Sequence, residues 1–215
     1  MNLKMQAENQ KKERIIAYID GFNLYFGLRD AGFDNCRWLN VKSLVLSLLK
    51  PHQELVGVKY FTSRVSNSPD KQKRQSTYID ALESAGVQIF YGKYQEGTQE
   101  CKRCGNVWRA AKEKMTDVNI ATAIIVDAFQ DEYDMAMLIS GDSDLTPPIR
   151  EVHKHFNNKR VFIAFPPKRH NSSMAIVAKG SEIIGRRRLF AAQFPDEVIS
   201  KTGYTLKIPN EWKID

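Results

Sequence analysis

Five short apolar runs, at 14–20, 55–62, 87–91, 135–139 and 160–165, are separated by stretches with helical patterning. That alternation most restricts the fold, because runs of four to eight apolar residues bounded by breakers read as buried strands. The intervening stretches at 23–29, 41–49, 68–85, 117–129, 147–156 and 171–178 read as helices. In the second of them Val41, Leu44, Val45, Leu48 and Leu49 share one face, and Pro51 closes it. Ser68-Pro69 supplies a cap and a first-turn proline for the third. Strands joined through helices imply an α/β fold, with a mainly parallel five-stranded sheet covered on both faces.

A length of 215 residues suits one domain with a real core. Residues 1–13 are polar, carry both signs of charge and read as a disordered leader. The α/β domain is expected over 14–180, with a polar loop insertion at 92–109 and a less regular C-terminal extension at 181–215 packing on the domain or trailing from it. No apolar run approaches the roughly 20 residues of a membrane span. The amino terminus lacks the apolar core of a signal peptide, so a cytoplasmic protein without membrane association is expected. Three cysteines cannot form a disulfide framework. A net charge of +7 favours an anionic partner such as nucleic acid.

The chemistry-bearing residues gather at strand ends. The fourth strand leaves through Ser140-Gly141-Asp142-Ser143-Asp144, and the first ends in Asp20. In a parallel sheet all carboxyl ends share one edge, where open α/β folds keep their ligands. Asp117 stands at the start of the helix preceding the fourth strand, so its place is on the same edge. Four carboxylates crowded together repel each other unless cations lie between them. Such a cluster suits one or two Mg²⁺ or Mn²⁺ ions, which activate water and clamp a phosphodiester during in-line attack. Asn23 could orient the substrate phosphate, and Ser140 and Ser143 could hydrogen-bond the carboxylates. Each acid also has a plainer reading: Asp142 and Asp144 as turn and cap, Asp117 or Thr116 as a helix cap, Asn23 as a cap of the first helix. Asp127 follows Asp117 by ten residues and is expected to face a distant patch.

Three blocks carry a family resemblance. Tyr18-Ile-Asp-Gly-Phe-Asn-Leu-Tyr25, Lys114-Met-Thr-Asp-Val-Asn-Ile-Ala121 and Leu138-Ile-Ser-Gly-Asp-Ser-Asp-Leu145 resemble, in that order, the signature blocks of the NYN domain, a branch of the PIN-like nucleases. The resemblance covers about residues 14–180. It implies a three-layer α/β/α sandwich and a metal-dependent ribonuclease site. Asp20, Asp117, Asp142 and Asp144 match the family's acids, and Asn23 its polar residue. Some PIN-like domains bind without cutting, so a non-catalytic nucleic-acid-binding module is the alternative. A small-molecule phosphohydrolase of the haloacid-dehalogenase type fits poorly, because the first strand ends Asp20-Gly-Phe and not Asp-x-Asp.

Cys101-Lys-Arg-Cys104-Gly105 has the spacing of a zinc knuckle, two thiolates and a turn glycine. Two further ligands would have to come from Cys36, a histidine (His52, His153, His155 or His170) or a second subunit, which leaves a homo-oligomer open. The plain alternative is a reduced pair in a surface hairpin. RNA is the expected partner. Arg109, Lys114, Lys168, Arg169 and the run Arg186, Arg187, Arg188 are the candidate phosphate contacts. Tyr25, Phe26 and Trp108 are candidates for stacking on bases of a single strand.

Overall fold

The unbroken apolar run of β1 (Glu13–Asp20) follows from its position in the computed structural model, inside a six-stranded sheet with helices on both faces. The structure describes residues 11–65, 68–100 and 103–213, with the backbone alone for 93–100 and 108–114. After β1 come α1 (Gly21–Asp30), α2 (Val41–Leu48), β2 (Gln53–Thr62), α3 (Pro69–Ser84) and β3 (Gln88–Tyr91). Next are β4 (Lys93–Glu100), β5 (Val107–Lys114), α4 (Thr116–Phe129), β6 (Met135–Ile139), α5 (Thr146–His155) and β7 (Arg160–Phe165). The chain closes with α6 (Ser172–Val177), β8 (Ser181–Ile183), α7 (Arg186–Ala191), β9 (Glu197–Ile199) and β10 (Thr205–Lys207).

The sheet order is β3-β2-β1-β6-β7-β8, with every neighbouring pair parallel. Ile15, Ala17 and Ile19 of β1 pack with residues of α1, α2, α3 and α7 on one face. Ile16 and Tyr18 pack with α4, α5 and α6 on the other. From β1 the chain builds outward through β2 and β3, then returns to β1's other side as β6 and builds outward again. The reversal makes β1 and β6 the topological switch point, where diverging connections leave a crevice at the carboxyl edge.

Two expectations change. The sheet has six strands and not five, because Ser181–Ile183 pairs with β7. Three residues reading Ser-Glu-Ile are too short to show a period. The insertion read as a loop is an antiparallel hairpin, β4 against β5, in register from Lys93↔Lys114 to Glu100↔Val107. Its polar composition hid the strands, since neither displays an apolar face. Among the C-terminal residues, Trp212 is buried with ring centroids 6.4 Å from Trp38 and 5.9 Å from Tyr78.

Asp127 is not among the residues lining the cleft at the sheet's carboxyl edge, and it is buried and does not face an open patch. It accepts from Tyr18 Oη at 2.5 Å and from Lys59 Nζ at 2.6 and 2.9 Å. Sequence spacing could not show that β1 and β2 bring it a phenol and an ammonium.

His153 on α5 is half-buried, and its Nε2 accepts from the Val161 amide at 3.1 Å, so the ring is bound in its neutral form. Burial, with Lys179 nearby, pushes its pKa down from the ordinary value. The unfolded chain therefore binds a proton at a pH where the folded chain does not. Stability is full above about pH 6.5 and falls as pH drops from there toward the lowered folded value. Thermal melts at pH 7.5 and 5.5 are expected to show a smaller acid loss for His153→Gln than for the wild type. Equal losses in both would remove His153 as the cause.

Candidate active site

Asp20 ends β1 and caps α1, accepting from the Asn23 amide through Oδ1 at 2.9 Å. Its Oδ2 accepts from Ser140 Oγ at 3.0 Å, and it is buried. Ser140 Oγ also accepts from the Asp142 amide at 3.1 Å, so one hydroxyl ties the two strand ends together. Asn23 Oδ1 accepts from the Gly141 amide at 3.0 Å, which pins α1 to the exit of β6. Asp142 caps the short 3₁₀ turn Ser143–Leu145 by accepting from the Asp144 amide at 3.0 Å.

Asp20, Asn23, Asp117 and Asp142 line one cleft of about 200 Å³ at this edge, together with Arg169. Three carboxylates from three separate segments thus line one space at the switch point. Met115 and Thr116 at the start of α4, and Phe22 and Phe26 of α1, complete the lining. Met115 holds a left-handed backbone (φ 80°) between β5 and α4, and Lys168 does so (φ 59°) just before Arg169. A non-glycine residue there costs about 1–3 kcal/mol, and such strain collects at functional sites.

The close fit of the β7–α6 loop explains how Arg169 reaches the acids. A Cβ on Gly141 would stand 1.8 Å from the Arg169 carbonyl oxygen, and one on Gly27 would stand 2.8 Å from Pro166 Cβ. Arg169 pairs with Asp30, and its buried Nε has no hydrogen-bond partner among the described residues. Arg169 thus brings a cation, paired with Asp30, to the lining of a cleft that otherwise carries carboxylates.

The remaining candidates are placed as follows. Asp144 is exposed and is not among the cleft-lining residues. Ser143 is exposed, and Lys168 is exposed outside the lining. Arg186 lies over the rings of Phe190 (4.9 Å) and Phe33 (5.7 Å), Arg188 pairs with Glu182 at 2.5 Å, and Arg187 is exposed. The side chains of Arg109, Lys114 and Trp108 lie outside the described residues, as does Cys101. Cys104 is an exposed free thiol. Cys36 is fully buried, and burial pushes its thiol up to about 11. Sequence reasoning passed over Phe22 and Met115. Phe22 lies between Asp20 and Asn23, and that adjacency was the available signal.

The donor set is all oxygen, which suits a hard cation such as Mg²⁺ or Mn²⁺. Among the described residues, no three ligand-type side chains stand close enough to enclose an ion as placed. The residue chemistry fits a divalent cation, with the carboxylates lining a shared space and set wider apart than the ligands of one bound ion.

Fold and cleft define the class: an open parallel α/β domain with acidic residues at its switch point. The NYN domain model matches residues 14–184, and the chain belongs to that family, which is of nuclease type. A Pseudomonas putida protein named 6-hydroxy-3-succinoylpyridine 3-monooxygenase HspA is 24% identical over 238 residues, spanning 91% of this chain and 74% of its own. The crystal structure of a Vibrio parahaemolyticus protein of unknown function superposes with a TM-score of 0.56 at 23% identity, covering 85% of this chain and 98% of that one. That likeness bears on the fold alone. No helix among the described residues is long and apolar enough to cross a membrane.

Proposed function

We propose that this protein is a divalent-metal-dependent endoribonuclease acting on RNA in the cytoplasm. The observation that carries the reading is the meeting of Asp20, Asp117 and Asp142, from three segments, in one cleft beside Arg169. Membership of a nuclease-type family supports it. Asp20, Asp117 and Asp142 would hold Mg²⁺ or Mn²⁺, with Asp144 joining them if the 3₁₀ turn shifts on binding. The cation supplies Lewis acidity and lowers the pKa of water. Ser140 keeps the Asp20 and Asp142 segments in register, and Asn23 locks α1, which follows Asp20, to the exit of β6. Arg169, and Lys168 beside it, bind the phosphate flanking the scissile bond. Arg109, Lys114 and Arg186 to Arg188 would extend that grip along the backbone.

Labelled single-stranded RNA and DNA, incubated side by side with Mn²⁺, test the reading. RNA products are expected from the wild type, with a loss of about 10²-fold or more for Asp142→Asn. Salt-sensitive RNA retention with no products would instead mark a binding module that does not cut. A second reading rests on the Pseudomonas relative, whose similarity runs over 91% of this chain. Ring hydroxylation needs a redox cofactor, so it predicts oxygen uptake with 6-hydroxy-3-succinoylpyridine and a reduced nicotinamide. Such uptake without RNA cleavage would replace the nuclease reading. Zinc at Cys101 and Cys104 is a separate proposal, and metal analysis of the purified protein at near-zero zinc would end it.

A further inference from the structure

Sharing residues of α1 with the acid cleft lies a larger cavity of about 370 Å³. Its size falls in the roughly 300–1,000 Å³ range of small-ligand sites. Phe22 and Phe26 line both spaces, and Gly21, which lines the cavity, directly follows Asp20. The Tyr60 ring crosses Gly21 so closely that a Cβ there would meet its hydroxyl at 2.6 Å. Tyr25, Tyr78 and Trp212 complete an aromatic lining drawn from α1, α3 and the C-terminal residues.

The same lining holds Arg29, Arg37, Lys71 and Arg74 and no acidic residue. Arg37 lies over the Tyr25 ring at 5.2 Å and Arg29 over the Phe26 ring at 4.7 Å. These half-exposed rings are therefore held in place before any ligand arrives, which lowers the ordering cost of stacking on them. Asp34 and Glu211, outside the lining, pair with Arg37 and Arg74, while Asp30 is shared between Arg29 and Arg169. Lys71 makes no ion pair with a described residue and leaves the surplus positive charge. Flat aromatic walls with a cationic rim match a ligand that is a planar ring joined to an anion, which is the chemistry of a nucleotide.

We infer that this cavity seats the base of one unstacked nucleotide of single-stranded RNA, the nucleotide adjoining the phosphate in the acid cleft. The inference rests on the nuclease reading for its orientation, and it adds a specificity pocket to that site. Stacking on the Tyr25 ring, with Phe26 edge-on to it, would hold the base, and Lys71 would meet its phosphate.

Titration calorimetry with AMP, CMP, GMP and UMP in EDTA separates binding from chemistry. At least one mononucleotide is expected to bind the wild type at millimolar concentration. Tyr25→Ala is expected to weaken that binding at least about fivefold, the lower end for losing one base–aromatic stack. Lys71→Gln is expected to weaken it in a salt-dependent way. Tyr25 is 37% exposed and Lys71 is exposed, so both variants should fold, and melts confirm it. Absence of binding, or binding insensitive to Tyr25→Ala and Lys71→Gln, overturns the inference. So does binding of 6-hydroxy-3-succinoylpyridine with no nucleotide binding. RNA cleavage with unchanged cut sites in Tyr25→Ala removes the pocket and keeps the nuclease. Nucleotide binding as expected without RNA cleavage removes the nuclease and keeps the cavity as a nucleotide site.

Discussion

Asp20→Asn is expected to lower Mn²⁺-dependent RNA cleavage on the order of 10³-fold, since removing a carboxylate from a cation site forfeits several kcal/mol of transition-state stabilisation. The fold should survive. An asparagine oxygen can still accept from the Asn23 amide, and its nitrogen can donate to Ser140 Oγ in place of the present O–H···O bond. The rearranged hydrogen bond costs about 1 kcal/mol, and relief of repulsion from Asp117 and Asp142 offsets part of it. Melting temperature should therefore move by only a few degrees, at roughly 2–4 °C per kcal/mol for this size. A second readout separates chemistry from folding. Mn²⁺ should raise the melting temperature of the wild type, because a ligand that binds only the folded state stabilises it, and should do so much less in Asp20→Asn. Full cleavage activity in the variant would end the acid-site mechanism.

Gly141→Ala is expected to destabilise the protein by about 3 kcal/mol or more and to disable the site as well. Van der Waals contact sits near about 3.5 Å, whereas the new Cβ would stand 1.8 Å from the Arg169 oxygen and 3.0 Å from Arg169 Cβ. The first obstacle is backbone, so the exit of β6 and the 166–171 loop must part. That separation strains the Asn23–Gly141 bond and the 3.3 Å bond from Asn171 Nδ2 to the Gly141 carbonyl. It also shifts Asp142 and Arg169 relative to Asp20. Urea unfolding and the cleavage assay should both register the change. Gly185→Ala is the control, since nothing lies within 4 Å of that position, and its cost should stay within about 1 kcal/mol. Equal stability of the two variants would show that the 166–171 loop yields easily.

The strands and helices of the central sheet were legible because burial on both faces leaves a dense apolar imprint. Ile15 to Ile19 and Met135 to Ile139 display it directly. β8 escaped notice because three residues carry no period, and the β4–β5 hairpin because it has no apolar side to display. At the cleft, Asp20, Asp117 and Asp142 were visible as acids at strand ends or a helix start, where topology alone brings them to one edge. Asp144 looked equivalent to Asp142 in sequence. The 3₁₀ turn drives Leu145 into the core at 0% exposure and leaves Asp144 exposed. Which carboxylates line the space depends on that turn and not on spacing.

By itself the sequence determined the layered α/β plan, the acid-bearing edge and the family, since each is written in local pattern: apolar runs, strand-end acids and three signature blocks. The tertiary structure decided what lies beside those acids. The Arg169 carbonyl seated on Gly141, and Trp212 and Tyr78 walling a cavity that opens beside Tyr25, join residues far apart in the chain. The physical reason is that close packing is a relation between surfaces, and no single segment carries both.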